Sequence, residues 1–142
     1  MKTVKQLLDI KGRQVWSISP EASVFEAIQR MAEKEVGALL VMQGEKLVGI
    51  ISERDYARKV ILKERSSQQT PVKDIMTTRV VYADPNQPID ECMALMTEKR
   101  IRHLPVIAGD KVQGIISIGD LVKAIIEDQQ FIIEQLEHYI SS

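Results

Sequence analysis

Gly49-Ile50-Ile51-Ser52-Glu53-Arg54-Asp55 returns 65 positions later as Gly114-Ile115-Ile116-Ser117-Ile118-Gly119-Asp120. Carried outward without a gap, the same offset lays 15–62 on 80–127 and pairs Pro20 with Pro85, Met31 with Met96, Leu39 with Leu104, Val41 with Val106 and Gly44 with Gly109. A self-match at one fixed period means a single structural unit written twice, and it governs every assignment that follows.

Both copies carry the same punctuation. In the first, 15–18 alternates toward a strand and Pro20 interrupts it. Ser23 with Glu26 then forms a capping box for a helix faced by Val24, Ala27, Ile28 and Met31 and ending near Val36-Gly37. A buried strand at 38–42, a turn at Gly44, a hairpin partner at 46–51 and a second helix capped by Ser52 and running through Tyr56, Val60 and Ile61 complete the unit. The second copy repeats this with a strand at 80–82, a helix begun by Pro88 and faced by Ile89, Met93 and Met96, strands at 103–107 and 111–116, and a helix from Ser117. The order β-α-β-β-α, twice, places the chain in the α/β (α+β) class.

A short amphipathic leader precedes each copy, Val4-Lys5-Gln6-Leu7-Leu8 and Val72-Lys73-Asp74-Ile75-Met76, at an offset of 68 that leaves three extra residues around 9–13. The polar run Lys63 to Thr70 links the copies. We divide the chain into a first repeat with its leader helix at 1–64, a linker at 65–71, a second repeat at 72–128 and a C-terminal amphipathic helix at 129–142. A small sheet with helices on one side leaves an apolar face too large to stay exposed. The copies are therefore expected to pack together with pseudo-twofold symmetry and to leave two unequal clefts.

Composition narrows the function. Nineteen basic residues against 20 acidic ones give a net charge of -1, so no field draws the 142-residue chain to nucleic acid or an anionic membrane. No apolar run reaches the roughly 18 residues that a spanning helix needs, and the opening residues lack a secretory signal, so the expected location is the cytoplasm. Cys92, the one cysteine, cannot form an intrachain disulfide, and with only His103 and His138 beside it no metal site is expected. No nucleophile-base-acid arrangement or Gly-rich phosphate loop emerges either, so the chain reads as a binder and not an enzyme.

The duplicated Ser-x-x-Asp turn puts a hydroxyl, free N–H groups and a carboxylate at a helix start. That geometry suits a ligand with an anionic group and a ribose diol; helix capping alone would account for the same residues. Arg102 and His103 open the middle strand of the second copy where the first has Gly37 and Ala38, offering a phosphate two basic groups or presenting a solvated charge and an edge histidine. Arg54, Arg58 and Arg65 fall on one face of an ideal helix, either toward a cleft or toward solvent among Glu53, Asp55 and Glu64. Cys92 sits among apolar neighbours as a core residue. Beyond Asp120, the residues Ile132, Leu136, Tyr139 and Ile140 make an apolar stripe that either folds back or serves self-association.

Taken together, GIISERD, GIISIGD, the RHLPV segment from Arg102 to Val106 and the doubled unit resemble a tandem pair of cystathionine-beta-synthase (CBS) domains, a Bateman module, over 1–128. ERDYARKVILKERSS from Glu53 and the tail from Asp128 are similar to small stand-alone bacterial two-CBS proteins. The resemblance implies a non-catalytic sensor of adenosine-containing ligands, AMP first and NAD(H) second, with ADP, ATP and S-adenosylmethionine as further occupants, and no catalytic cofactor. It implies one site from Ser52, Arg54 and Asp55 with Thr77, Thr78, Val80, Ile101, Arg102, His103 and Pro105. The other would join Ser117, Gly119 and Asp120 to Lys11, Arg13, Val15, Val36, Gly37 and Ala38. The first is expected to bind more tightly, since the second lacks the arginine and histidine. The expected output is to an unidentified effector protein in trans, from a homodimer formed through the C-terminal helix and the repeat helices. The alternative is a structural adaptor with vestigial sites.

Overall fold

The computed structural model describes residues 2–141, so Met1 and Ser142, at the outer ends of the first and last segments assigned above, lie outside it. The chain opens with α1 (Val4–Lys11), where Thr3 Oγ1 accepts from Gln6 N and Gln6 Oε1 accepts from Thr3 N. This reciprocal cap satisfies two of the helix's free N–H groups. The backbone then divides into two compact units: Val15–Val81, and the chain up to Gln14 joined to everything from Tyr82 onward.

The unit Val15–Val81 holds β1 (Ser17–Ile18), α2 (Val24–Lys34), β2 (Ala38–Gln43), β3 (Lys46–Ser52) and α3 (Glu53–Tyr56). β1 runs parallel to β2, and β2 pairs antiparallel with β3. The apolar spacing of α2 brings Val24, Ala27 and Met31 onto the sheet, where Ile18, Leu39, Val41, Ile51 and Val60 complete a buried core. Ser23 Oγ accepts from Glu26 N, half of the expected box, and α2 stops at Glu35 in the left-handed conformation, slightly earlier than expected.

The other unit joins α1 to α4 (Ile89–Lys99), β4 (His103–Ala108), β5 (Lys111–Ser117) and α5 (Ile118–Ser141). β4 and β5 form a hairpin closed by Gly109 and Asp110, both at positive φ as a type I′ turn requires. Val4, Leu8, Ile89, Cys92, Met96, Leu104, Val106, Ile116 and Leu121 are buried here. The expected strand at 80–82 is absent. A single parallel bridge, Ala83 to Val106, takes its place. Pro105 supplies the reason: its counterpart Leu40 donates its N–H to Trp16 O at 3.1 Å, and proline has no N–H to give Val81.

The leaders depart most from the sequence reading. The leader of the first repeat docks on the second, and the leader before the second repeat docks on the first. Val4 N donates to Gln87 O, Lys5 N to Pro85 O and Ile89 N to Lys2 O; Val72 N to Ala22 O, Lys73 N to Pro20 O and Val24 N to Thr70 O form the same set in the other unit. Repeat and compact unit are therefore different divisions of the chain, and α1 does not belong spatially with 15–64. Residues 65–71 are also more than a linker, because Ser67 O and Thr70 O accept from the first N–H groups of α2 and Thr70 is buried.

Two helices differ from expectation in shape. After α3 the backbone continues as a π-turn over Ala57–Ile61, which winds more slowly than an α-helix, and Arg65 lies past it in an ion pair with Asp74 at 3.4 Å. Arg54, Arg58 and Arg65 consequently do not share the helix face that ideal spacing gives them. The segment 129–142 is not a separate helix either, since α5 is continuous from Ile118. Among the described residues no helix is long and apolar enough to cross a membrane.

Candidate functional site

Each Ser-x-x-Asp turn sits where the last strand of a hairpin becomes a helix. In the unit Val15–Val81, Ser52 Oγ accepts from Asp55 N at 3.2 Å while Asp55 Oδ2 accepts from Ser52 N at 3.0 Å, and Lys59 Nζ lies 3.1 Å from Asp55 Oδ1. The same lysine donates to Ile75 O at 2.9 Å. Two neighbours are set by the ladder: Ala38 pairs with Ser52, and Glu53 N donates to Gly37 O at 3.0 Å. The leader contributes Thr77, which exchanges both backbone hydrogen bonds with Ile50.

That approach needs a glycine. A Cβ on Gly49 would stand 2.9 Å from Thr77 O and 2.8 Å from Met76 Sδ, and one on Gly114 would stand 2.8 Å from Leu8 Cδ2 in the other unit. The glycine preceding each turn by three residues thus lets the exchanged leader lie against the strand.

The second turn repeats the plan with more positive charge. Ser117 N donates to Asp120 Oδ2 at 2.8 Å, Asp120 N donates to Ser117 Oγ at 3.2 Å, and Lys11, from the end of α1, donates to Asp120 Oδ2 at 2.6 Å and to Ile115 O at 2.7 Å. Burial pushes the Asp120 carboxyl upward, but the Lys11 hydrogen bond and charge together with the Ser117 N–H outweigh it and hold the group below the usual carboxylate range. His103 pairs with Ser117 across the hairpin, and Ile118 N donates to Arg102 O at 2.9 Å. Lys11, Arg102 and His103 therefore cluster by backbone position around the start of α5, whose N–H groups and dipole also favour an anion.

Ser52, Arg54, Asp55, Thr77, Thr78 and Val80 lie in the unit Val15–Val81 together with Val15, Val36, Gly37 and Ala38, and Ile101, Arg102, His103 and Pro105 lie in the other unit with Ser117, Gly119, Asp120, Lys11 and Arg13. Within each unit the antiparallel register returns the middle-strand entrance to the turn of its own repeat. Arg13 is engaged in an ion pair with Asp9. Lys59 was not foreseen, although its i,i+4 spacing from Asp55 is a readable ion-pair signal. Among the described residues no cluster of three or more His, Cys, Asp or Glu side chains could hold a metal.

The CBS domain family matches residues 7–62 and 72–127. The chain belongs to the CBS domain family. It is 38% identical over 148 residues to the mitochondrial CBS domain-containing protein CBSX3 of Arabidopsis thaliana, covering 97% of this chain and 71% of that one. A CBS-domain protein of known structure from Burkholderia ambifaria is 56% identical with a TM-score of 0.88, covering 90% of this chain and 96% of that one. The CBS domain pair of protein MJ0100, solved in complex with 5′-methylthioadenosine and S-adenosyl-L-methionine, superimposes with a TM-score of 0.79 at 25% identity over 90% of this chain and 98% of that one. The fold is the tandem CBS fold, and a CBS pair is a regulatory module and not a catalyst.

Proposed function

We propose that the chain senses an adenosine-containing ligand at its two Ser-x-x-Asp turns and passes the binding event to an effector protein in trans. The observation that carries this reading is the concentration of Lys11, Arg102, His103, Ser117 and Asp120 at the start of α5. A carboxylate accepts two hydrogen bonds from a ribose diol, while the basic groups and the helix N–H groups receive a phosphate. The likeness to a CBS pair holding adenosine compounds supports the ligand class.

A single cluster of basic groups suits one phosphate, so AMP is the ligand we place first, ahead of ADP, ATP, NADH and S-adenosylmethionine. Gly37 and Ala38 stand where the other turn has Arg102 and His103, so the site at Asp55 is the weaker one. This reverses the order that the resemblance suggested. Isothermal calorimetry with AMP tests it: Asp120→Ala should lose about 10- to 100-fold in affinity, the worth of one hydrogen bond to a charged group. Asp55→Ala should lose less at that site. A larger loss from Asp55→Ala overturns the ranking, and no binding of any of these compounds at millimolar concentration overturns the function.

A further inference from the structure

Beyond Ala124, no described side chain of α5 is buried. Along it, Val122, Ile126, Gln129, Ile133, Leu136 and Ile140 follow one another at intervals of four, three, four, three and four residues, the repeat of a helix that pairs with a helix. The five apolar members of this seam are 43%, 58%, 47%, 55% and 80% exposed. Ile125, Ile132 and Tyr139 widen the stripe along one border, and Lys123, Gln130 and Glu137 line the other.

We propose that this seam binds α5 of a second copy of the chain, antiparallel, about a twofold axis near Phe131. In that arrangement Ile126 meets the partner's Leu136, Ile133 meets the partner's Gln129 and Ile140 meets the partner's Val122. The borders match as well. Lys123 falls beside the partner's Glu137, twice by symmetry, and Ile132 beside the partner's Ile132. A parallel pair would set Glu137 beside the partner's Ile132 and leave Lys123 without an acid, so the charges select the antiparallel orientation. Glu127, Asp128 and Glu134 stay on the outer faces, away from the seam.

The area is sufficient. The exposed parts of the seam residues with Ile132 and Tyr139 amount to roughly 800 Å² per copy, about what each partner contributes to a specific protein interface. Gln129, the one polar seam residue, costs some stability and penalises slipped registers. This interface is independent of the ligand reading and stands or falls without it.

Sedimentation velocity on the full chain at tens of micromolar tests the proposal. The unaltered chain should sediment as an even multimer, and Ile133→Glu should halve its mass while circular dichroism shows the fold intact. Lys123→Glu and Glu137→Lys should each raise the dissociation constant several-fold, and the doubly reversed chain should regain the original value. A monomeric parent, an unchanged mass for Ile133→Glu, or a double variant as weak as either single one each overturns the antiparallel seam.

Discussion

Replacing Gly49 with alanine probes the leader packing directly. The new methyl would lie 2.8 Å and 3.0 Å from Met76 Sδ and Cγ and 2.9 Å from Thr77 O. The methionine can swing aside. The carbonyl cannot, because Thr77 exchanges hydrogen bonds of 2.9 and 3.0 Å with Ile50. Overpacking of about 1–3 kcal/mol plus a weakened ladder bond of about 1 kcal/mol gives a loss of roughly 2–4 kcal/mol. Gly114→Ala meets a side chain and no backbone atom, Leu8 Cδ2 at 2.8 Å and Cδ1 at 3.1 Å, and should cost less than Gly49→Ala, about 1–2 kcal/mol.

Urea unfolding followed by circular dichroism, with Trp16 fluorescence reporting on its own unit, measures both variants. At a slope of about 1–3 kcal/mol per molar, Gly49→Ala should lower the midpoint by about 1 M or more. A double-mutant cycle then isolates the contact across the exchange. Leu8 is fully buried, so Leu8→Ala opens a cavity beside Gly114 that the alanine at 114 partly refills, and the two changes should be non-additive by about 1 kcal/mol. Strict additivity, or a Gly49→Ala variant as stable as the parent, would refute the docking of each leader on the opposite repeat.

Two further outcomes concern titration. In Lys11→Met, Asp120 keeps its Ser117 hydrogen bonds but loses the ammonium that also holds its carboxyl low, so a carboxyl NMR titration should show its pKa rising. In the parent that lowered carboxyl contributes stability above its unfolded value, lost as pH falls through the folded value, and the variant should show less of this contribution. Burial, with Glu91 and Asp90 adding to it, pushes the Cys92 thiol up to about 11. Folded protein should therefore resist iodoacetamide at pH 8 and react on unfolding, and stability should fall above pH 9 as the unfolded thiol ionises first.

The repeat, its element order and the two caps were legible because they rest on local chemistry: apolar period, Ser and Pro at helix starts, Gly at turns. The strand at 80–82 failed for an equally local reason, the missing N–H of Pro105, which the comparison of Leu40 with Pro105 already contained. The π-turn after Tyr56 left no such trace, and it dissolved the three-arginine face. The leaders were ambiguous for a different reason. Val4-Lys5 and Val72-Lys73 make identical backbone contacts on identical partners, so either leader fits either repeat, and the choice depends on how the intervening chain spans the distance.

The pairing of each middle-strand entrance with the turn of its own repeat was recoverable, and the reason bears on how the two turns differ. A two-residue turn at Gly109 and Asp110 ties His103 to Ser117, so the basic entrance and the Asp120 turn could never be separated once the hairpin was recognised. Each aspartate is already held by a lysine: Lys59, readable from its i,i+4 spacing, for Asp55, and Lys11 from the exchanged leader, which no local rule shows, for Asp120. A diol seated on either carboxylate competes with that ammonium. At Asp55 the displaced lysine stays one turn along its own helix, and only a side chain moves. At Asp120 the lysine that such a diol would displace ends α1, so under the proposed reading the exchanged leader would lose one of its ties to the second turn. Two turns of nearly identical local structure therefore differ in their counter-ion, a lysine one turn along the same segment at Asp55 and a lysine of the exchanged leader at Asp120.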